Sequence, residues 1–454
     1  MAVKQRIRDY FIRKKPLAPG LYDKRIDNEF GNFRLHLRVE AGGEGTLIIN
    51  ASKMIHLNHT GTELAKLIMD GLNDEQIVNT MKQRYRVGGK QVSEDLAKIR
   101  DMVHILTSTD DVCPITYLDV DRIEPFSSKT IAPYRMDLAL TYKCQNKCPH
   151  CYVGKPRKVK ELTTEQWKEV IKHCWEEGIP HICFTGGEPT LREDLRQLVE
   201  YAEDLGVVTG LLTNGRKLSD KGYLDGLVQA GIDHFQITLE SHDESIHDLM
   251  VGDKGAWRET VAGIKNALTT PVYTITNTTL TRHNVPTIEE TVDFLASLGL
   301  EVIAANGIIC SGHGKGYSSA IAEEELTAVL ARILSACRRN HLRFIWYTPT
   351  QYCRLNPLKL ELGIKQCTAG KYNMCIEPDG EVLPCQSYYK SLGNILKDDW
   401  KSIWHNPILE SLRRREFLME KCKDCSELEV CGGGCPLALS EEDLLYCLES
   451  GSNA

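Results

Sequence analysis

Hydrophobic positions along this chain change spacing several times, and the changes divide it into zones. In the first zone, about residues 1–110, three short runs alternate or concentrate apolar residues: RLHLRVE (34–40), GTLIIN (45–50) and MIHLN (54–58), separated by turn signals such as AGGEG. A period of two bounded by such turns predicts strands. Three stretches with helical spacing follow, TGTELAKLIMDGL, DEQIVNTMKQRYRV and SEDLAKIRDMVHIL. The first should be capped by Thr60 or Thr62 and end near Gly71. Strands first and helices after predict a small α+β domain. Residues 111–133, with Pro114, Pro125, Pro133 and the Ser127–Ser128 pair, read as a linker.

The second zone, about 134–330, alternates the two periods. RMDLALTY, HICFTGG, VVTGLLTNG, HFQITLE, VYTITNTTL and EVIAANGII read as six strands, with helical patterns such as TTEQWKEVIKHCWEEG and REDLRQLVEYAEDLG between them. That alternation predicts a parallel sheet, open or closed into a partial barrel, with ligand sites at the carboxyl ends of its strands. A bridging stretch, 331–365, leads to a third zone at 366–450, which is rich in Cys, Gly and Pro and carries short helical pieces such as WKSIWHNPILESLRRRE. So little apolar material predicts a small domain held by metal.

Composition narrows the functional classes. Of 454 residues, 42% are hydrophobic and 26% charged, an ordinary soluble-globular balance. No apolar run approaches the roughly 18 residues of a membrane helix. The opening MAVKQRIRDYFIRKK lacks the apolar core of an export signal, so we expect a cytoplasmic protein. A net charge of −7 argues against a global nucleic-acid footprint. The charge runs around Lys155, Arg157 and Lys158 and at Arg413–Arg415 read as solvated faces.

Cysteine is the unusual count. There are 17, none before Cys113, and they bunch at Cys144–Cys151 and again from Cys367 onward. In an unexported chain such thiols read as metal ligands or buried residues rather than as disulfides. Cys144, Cys148 and Cys151 lie on one loop after the first barrel strand. Three thiolates suit three irons of a cubane and leave a fourth iron open; the competing reading is zinc, with His150 as the added ligand.

The spacing C-x3-C-x2-C, with Tyr152 after its last cysteine, resembles the radical S-adenosylmethionine (SAM) family. The resemblance implies that the open iron chelates SAM, and that one electron cleaves SAM to methionine and a 5′-deoxyadenosyl radical, which abstracts hydrogen from substrate. It also implies that Gly186-Gly187-Glu188-Pro189 holds the SAM methionyl amine, that Asn214 lies at the cofactor, and that Thr238, Glu240 and Ser241 stand where the ribose is bound. Glu240-Ser241 departs from the usual Ser-x-Asp there.

The later cysteines, Cys367-x12-Gly380-x4-Cys385, Cys422-x2-Cys425-x5-Cys431-x3-Cys435 and Cys447, resemble the SPASM extension of radical SAM enzymes. By resemblance, Cys367, Cys385 and Cys435 ligate one auxiliary [4Fe–4S] cluster, with Cys375 as candidate fourth ligand. Cys422, Cys425, Cys431 and Cys447 would ligate a second. Three [4Fe–4S] clusters and SAM are therefore the expected cofactors. Cys174 and Cys183 read as core, and Cys310, ending the sixth strand, as a candidate hydrogen-atom donor.

The first zone resembles the winged-helix-like peptide chaperone of pyrroloquinoline quinone biosynthesis, a module in which a leader peptide adds to a sheet edge; here that edge is about 54–58, flanked by the helix around 93–106. The expected fold is thus α/β, a partial (β/α)6 TIM-like barrel with an N-terminal α+β winged-helix-like domain and a small C-terminal iron–sulfur SPASM domain. The expected function is hydrogen abstraction from a ribosomally made peptide, which is then oxidised, cross-linked or epimerised. The expected partners are a precursor peptide with its leader and an electron donor such as flavodoxin or ferredoxin, with no nucleic acid and no membrane. The alternatives are a SPASM enzyme acting on a small molecule or tetrapyrrole, and a sulfatase-maturing oxidase, which places aspartate where this chain has Gln386. From another class, a non-catalytic iron–sulfur carrier or binding protein also stands.

Overall fold

The computed structural model describes residues 17–29, 31–50, 53–108, 130–154 and 159–438. Cys113, Lys155, Arg157, Lys158 and Cys447 lie outside the described residues. The chain divides into two compact units, residues 1–134 with 174–180, and residues 135–173 with 181–454.

The first unit opens with four antiparallel strands, not three: β1 (Gly20–Asn28), β2 (Gly31–Val39), β3 (Gly45–Ile49) and β4 (Lys53–Leu57), in spatial order β1-β2-β3-β4. β1 escapes a hydrophobic scan because it reads GLYDKRIDN, and it exists through nine paired positions with β2, from Gly20–Val39 to Asn28–Gly31. Three helices follow, α1 (His59–Met69), α2 (Asp74–Arg84) and α3 (Gly89–Ser108). The cap of α1 is Asn58, whose side chain accepts from Gly61 N–H at 2.8 Å; Thr60 and Thr62 sit inside the helix. Asn73 and Gln76 form a reciprocal capping box on α2. The unit has its own core: Leu35, Leu37 and Leu47 from the sheet meet Leu64, Ile77 and Leu96 from the helices. The α1 helix packs against β3 and β4, while α3 packs on α1 and α2.

The second unit contains the six expected strands: β5 (Arg135–Thr141), β6 (His181–Gly186), β7 (Val208–Thr213), β8 (His234–Thr238), β9 (Tyr273–Thr279) and β10 (Val302–Asn306). All are parallel and neighbours in sequence order, which is the partial TIM-like barrel. Between them run α4 (Thr164–Glu176), α5 (Leu195–Asp204), α6 (Lys221–Gln229), α7 (Glu244–Val251), α8 (Ala256–Leu268) and α9 (Ile288–Ser297). The bridging stretch proves to be a further βα unit: α10 (Glu323–Arg339) leads to β11 (Arg343–Trp346), which pairs parallel with β10. At the other edge β12 (Asn373–Ile376) pairs parallel with β5, and β13 (Val382–Leu383) returns antiparallel.

The cysteine-rich zone therefore begins inside the barrel sheet. Its helical piece is two helices, α11 (Trp400–Trp404) and α12 (Pro407–Arg413), because Pro407 cannot continue the first. A last short helix is α13 (Leu428–Cys431). The basic run is not a solvated face: Arg413 lies 3.8 Å over the Trp404 ring and donates to Gly370 O, and Arg415 donates to Leu428 O. Only Arg414 keeps to the surface, paired with Glu416.

Candidate active site

The loop after β5 carries Cys144, Cys148 and Cys151, and it is tied down by backbone. Cys151 N–H donates to Cys148 O at 3.2 Å, Lys147 N–H to Val251 O at 2.8 Å at the end of α7, and His313 N–H to Cys151 O at 2.8 Å. Gly312 permits that last approach, since a Cβ there would meet Tyr152 O at 2.3 Å. The loop thus lies against the segment Ile309–Gly314 after β10, which includes Cys310. Its side chains reach the carboxyl ends of other strands. Gln145 donates to Asn214 Oδ1 after β7 at 3.4 Å, and His150 Nε2 lies 3.2 Å from Glu240 Oε1 after β8. The three thiols lie within electrostatic reach of one another. Burial pushes Cys144 up to about 11 and Cys148 well above its ordinary value. Each would therefore surrender a proton on binding a metal.

Gly186 and Gly187 admit a close approach of backbone. A Cβ at Gly186 would fall 2.1 Å from Thr141 O, and one at Gly187 would fall 2.4 Å from Lys143 O. The pair lets β6 close onto the strand end that launches the cysteine loop, with Gly187 N–H donating to Thr141 O at 2.7 Å and Glu188 N–H to Lys143 O at 2.8 Å. Gly186, at φ 137°, adopts backbone that favours glycine.

Glu188 is 1% exposed. One carboxylate oxygen accepts from Thr190 N–H at 3.1 Å, Thr190 Oγ1 at 2.7 Å and Thr213 Oγ1 at 2.7 Å; the other accepts from Asn214 N–H at 2.8 Å. It therefore joins the ends of β6 and β7. Burial outweighs these donors and raises its pKa above the ordinary carboxylate range. A cation docked beside it would restore its charge, which suits the ammonium of SAM. Glu188→Ala should weaken SAM binding roughly 10- to 150-fold if it loses a charge-assisted bond of about 1.5–3 kcal/mol. The structure adds a second cost, because two backbone N–H groups lose their acceptor, at about 1–3 kcal/mol for each buried group left unsatisfied. Equilibrium dialysis with SAM and thermal unfolding on the same sample check this; wild-type values in both would leave Glu188 without either role.

Glu240, also 1% exposed, is held by His150 and by Thr279 N–H at 2.8 Å, while Asn284 bonds its carbonyl oxygen. Its carboxylate braces the cysteine loop rather than standing open. Ser241 is fully buried and its hydroxyl accepts from Asp243 N–H at 3.1 Å. Thr238 ends β8, in register with Asn277. Several buried polar atoms at these strand ends and on the loop have no hydrogen-bond partner: Gln145 Oε1, His150 Nδ1, Asn214 Nδ2 and Asn277 Oδ1. Orphaned groups of this kind call for a ligand, and they fit a polar nucleoside cofactor. Gln145 and Asn277 were not legible in the sequence; position between two ligand cysteines, or at a strand end, is their only signal.

The cysteine-rich zone gathers its described thiols in two groups. Cys367 neighbours Cys435 and Cys385, and burial pushes Cys385 up to about 12. Cys375, fully buried in β12 among Ala139, Tyr142 and Leu383, lies beside Cys385. Cys422 neighbours Cys425, Cys431 and also Cys353, which the sequence left unassigned. The segment carrying Cys353 is bound to this group, Tyr352 N–H donating to Cys431 Sγ at 3.3 Å. The cysteine-rich zone is bonded to the first loop and to the segment after β10 that packs on it. Tyr152 OH donates to Gln386 Oε1 at 3.3 Å, and Ser311 Oγ donates to Ser387 O at 2.8 Å.

A model of the radical SAM superfamily matches residues 138–295, and a model of the SPASM iron–sulfur cluster-binding domain matches residues 367–426. Among solved structures the chain is similar to Streptococcus suis SuiB bound to precursor peptide SuiA, with 18% identity and a TM-score of 0.65 over 92% of this chain and 96% of that one. SuiB bound to S-adenosylmethionine gives 19% identity and a TM-score of 0.63, over 89% and 94% of the two chains. Native anSMEcpe with bound AdoMet and Cp18Cys peptide gives 19% and 0.55, over 70% and 94%. At these identities the likeness shows a shared fold. Together with the cysteine loop at the carboxyl ends of the strands, the two matches give the chain a radical SAM domain at 138–295 and a SPASM iron–sulfur cluster-binding domain at 367–426.

Proposed function

We propose that this enzyme abstracts hydrogen from a ribosomally made peptide and so oxidises, cross-links or epimerises it. Bound SAM and its [4Fe–4S] cluster supply a 5′-deoxyadenosyl radical when one electron is delivered. The chain's own part is to fix the loop of Cys144, Cys148 and Cys151 through His150–Glu240 and Gln145–Asn214, and to offer a carboxylate at Glu188. Cys310, on the segment against that loop, is the candidate hydrogen-atom donor.

The observation that carries the peptide reading is the first unit. It has its own core and ends its sheet on the short edge strand β4, where an extended leader adds by main-chain hydrogen bonds. The likeness to SuiB spans 92% of this chain and so includes most of that unit, whereas the likeness to anSMEcpe spans 70%. Gln386 in place of aspartate speaks against the sulfatase-maturing alternative, since glutamine is no base, and here it accepts from Tyr152.

We place three [4Fe–4S] clusters in the chain, two of them auxiliary, on Cys367, Cys385 and Cys435 with Cys375 as fourth ligand, and on Cys422, Cys425, Cys431 and Cys447. The domain bounds we adopt are 1–110, a linker at 111–133, 134–330, a bridge at 331–365, and 366–450. A flavodoxin or ferredoxin in the cytoplasm would deliver the electron. Co-production with each short peptide encoded beside this reading frame, followed by mass spectrometry, tests the reading. A defined mass change in one peptide supports it, and unaltered peptides throughout count against it.

A further inference from the structure

The barrel carries a second set of metal-ligating side chains, at the end opposite the cysteine loop. In β6, HICFTG, alternation puts His181, Cys183 and Thr185 on one face, and Ile182 and Phe184 on the other. Register then aligns three strands in one row: Cys183 pairs with Gly210 of β7, and Gly210 pairs with His234 of β8. A side chain at the middle position would separate the outer two. Gly210 has none, and a Cβ there would fall 2.1 Å from His234 Nε2. Through that gap His234 Nε2 comes to 3.9 Å from Cys183 Sγ, while His181 Nε2 lies 3.4 Å from the same sulfur. The two imidazoles are 5.1 Å apart between ring centroids and tilted by 57°. All three ligand atoms lie within 4.8 Å of one another.

The two sulfur–nitrogen separations suit a tetrahedral ion, and rotation of the imidazoles brings their nitrogens closer to it. With Zn–S near 2.3 Å and Zn–N near 2.0–2.1 Å, a tetrahedral angle sets sulfur and nitrogen about 3.6 Å apart. One thiolate and two imidazoles are a zinc donor set, with affinity for softer first-row ions. The neighbouring strand is prepared electrostatically. Arg135 and Asp137 of β5, in register with His181 and Cys183, form an ion pair at 3.0 Å in which Asp137 is buried and Arg135 part-exposed, so they add no net charge beside the cation. His181 and His234 are the first residues of their strands. The site is therefore at the amino-terminal end of the barrel, where side chains serve stability rather than chemistry.

We infer that His181, Cys183 and His234 bind one zinc-class divalent cation, with water as fourth ligand, and that it staples β6, β7 and β8 together. Cys183 gives up its proton on binding. Cys183, at 1% exposure, remains part of the core and is a ligand besides.

The test uses full-length protein, reconstituted anaerobically with iron and sulfide, given Zn²⁺ and passed through a mild chelator, with zinc and iron measured by mass spectrometry. About one zinc per chain should remain in the wild type, and also in the variant with Cys144, Cys148 and Cys151 all replaced by Ala. Cys183→Ala and His181→Gln should each lose it with iron unchanged; the fall in affinity should exceed the roughly 10- to 100-fold that loss of an outer-shell partner costs. Co²⁺ in place of Zn²⁺ should show a thiolate-to-cobalt charge-transfer band in the wild type and in His181→Gln at high Co²⁺, absent from Cys183→Ala. Wild-type protein that retains no zinc, or a Cys183→Ala variant that retains it fully, overturns the assignment.

Discussion

Replacing Cys144, Cys148 and Cys151 together by Ala should remove about four irons per chain, from roughly twelve to roughly eight for three cubanes, and reduce 5′-deoxyadenosine formation to background. The effect is complete because Cys144, Cys148 and Cys151 are the thiols that the loop itself carries, and because without the cluster nothing holds SAM against Glu188. The fold should survive. The loop is fastened by backbone bonds, Lys147 N–H to Val251 O and His313 N–H to Cys151 O, and by His150 and Gln145, none of which uses a cysteine side chain. Iron and sulfide assays beside a SAM-cleavage assay check it. Undiminished cleavage in the triple variant would move the reaction centre elsewhere.

Removing residues 1–110 should leave uncoupled SAM cleavage largely intact and lower peptide modification by roughly 10²–10⁴-fold, the advantage that tethering gives a second, weaker contact. Residues 1–110 contain no cysteine, so they should act through binding. The sheet order makes β4 an edge, and its side chains divide: Ile55 and Leu57 are buried while Met54 is 44% exposed. Along such a strand alternate N–H groups face β3 and the open edge. Proline scanned through Met54, Ile55, His56 and Leu57 in the intact protein should therefore split into two pairs. One pair breaks the ladder to β3 and lowers the melting temperature. The other keeps the sheet and loses the leader, since proline removes a donor. Leader binding by fluorescence anisotropy separates the pairs. Full-rate modification by the truncated enzyme would make the small-molecule reading the better one.

What the sequence revealed depended on how far apart the cooperating residues stand. Cys144, Cys148 and Cys151 announce themselves because one loop holds them at fixed spacing, and the six barrel strands because each is a short run rich in apolar or β-branched residues that alternates with a helical pattern. β1 stayed hidden because Asp23, Lys24 and Arg25 give it no apolar period; its partner β2 makes it a strand. β11 is only Arg343–Trp346 and takes its identity from β10. The glycine pair was legible as a motif but not in its cause, which is the carbonyl oxygens of Thr141 and Lys143. Cys353 beside Cys422, and His234 reaching over Gly210 to Cys183, are products of tertiary register that no local spacing encodes.

The central claim is that hydrogen passes from a peptide to the SAM-derived adenosyl group. Reduced, reconstituted enzyme should be incubated with SAM and a precursor peptide carrying deuterium at its carbon-bound positions, and the 5′-deoxyadenosine analysed by mass spectrometry. The account predicts 5′-deoxyadenosine that has gained deuterium, in step with a mass change in the peptide. Unlabelled 5′-deoxyadenosine beside an unmodified peptide would contradict it.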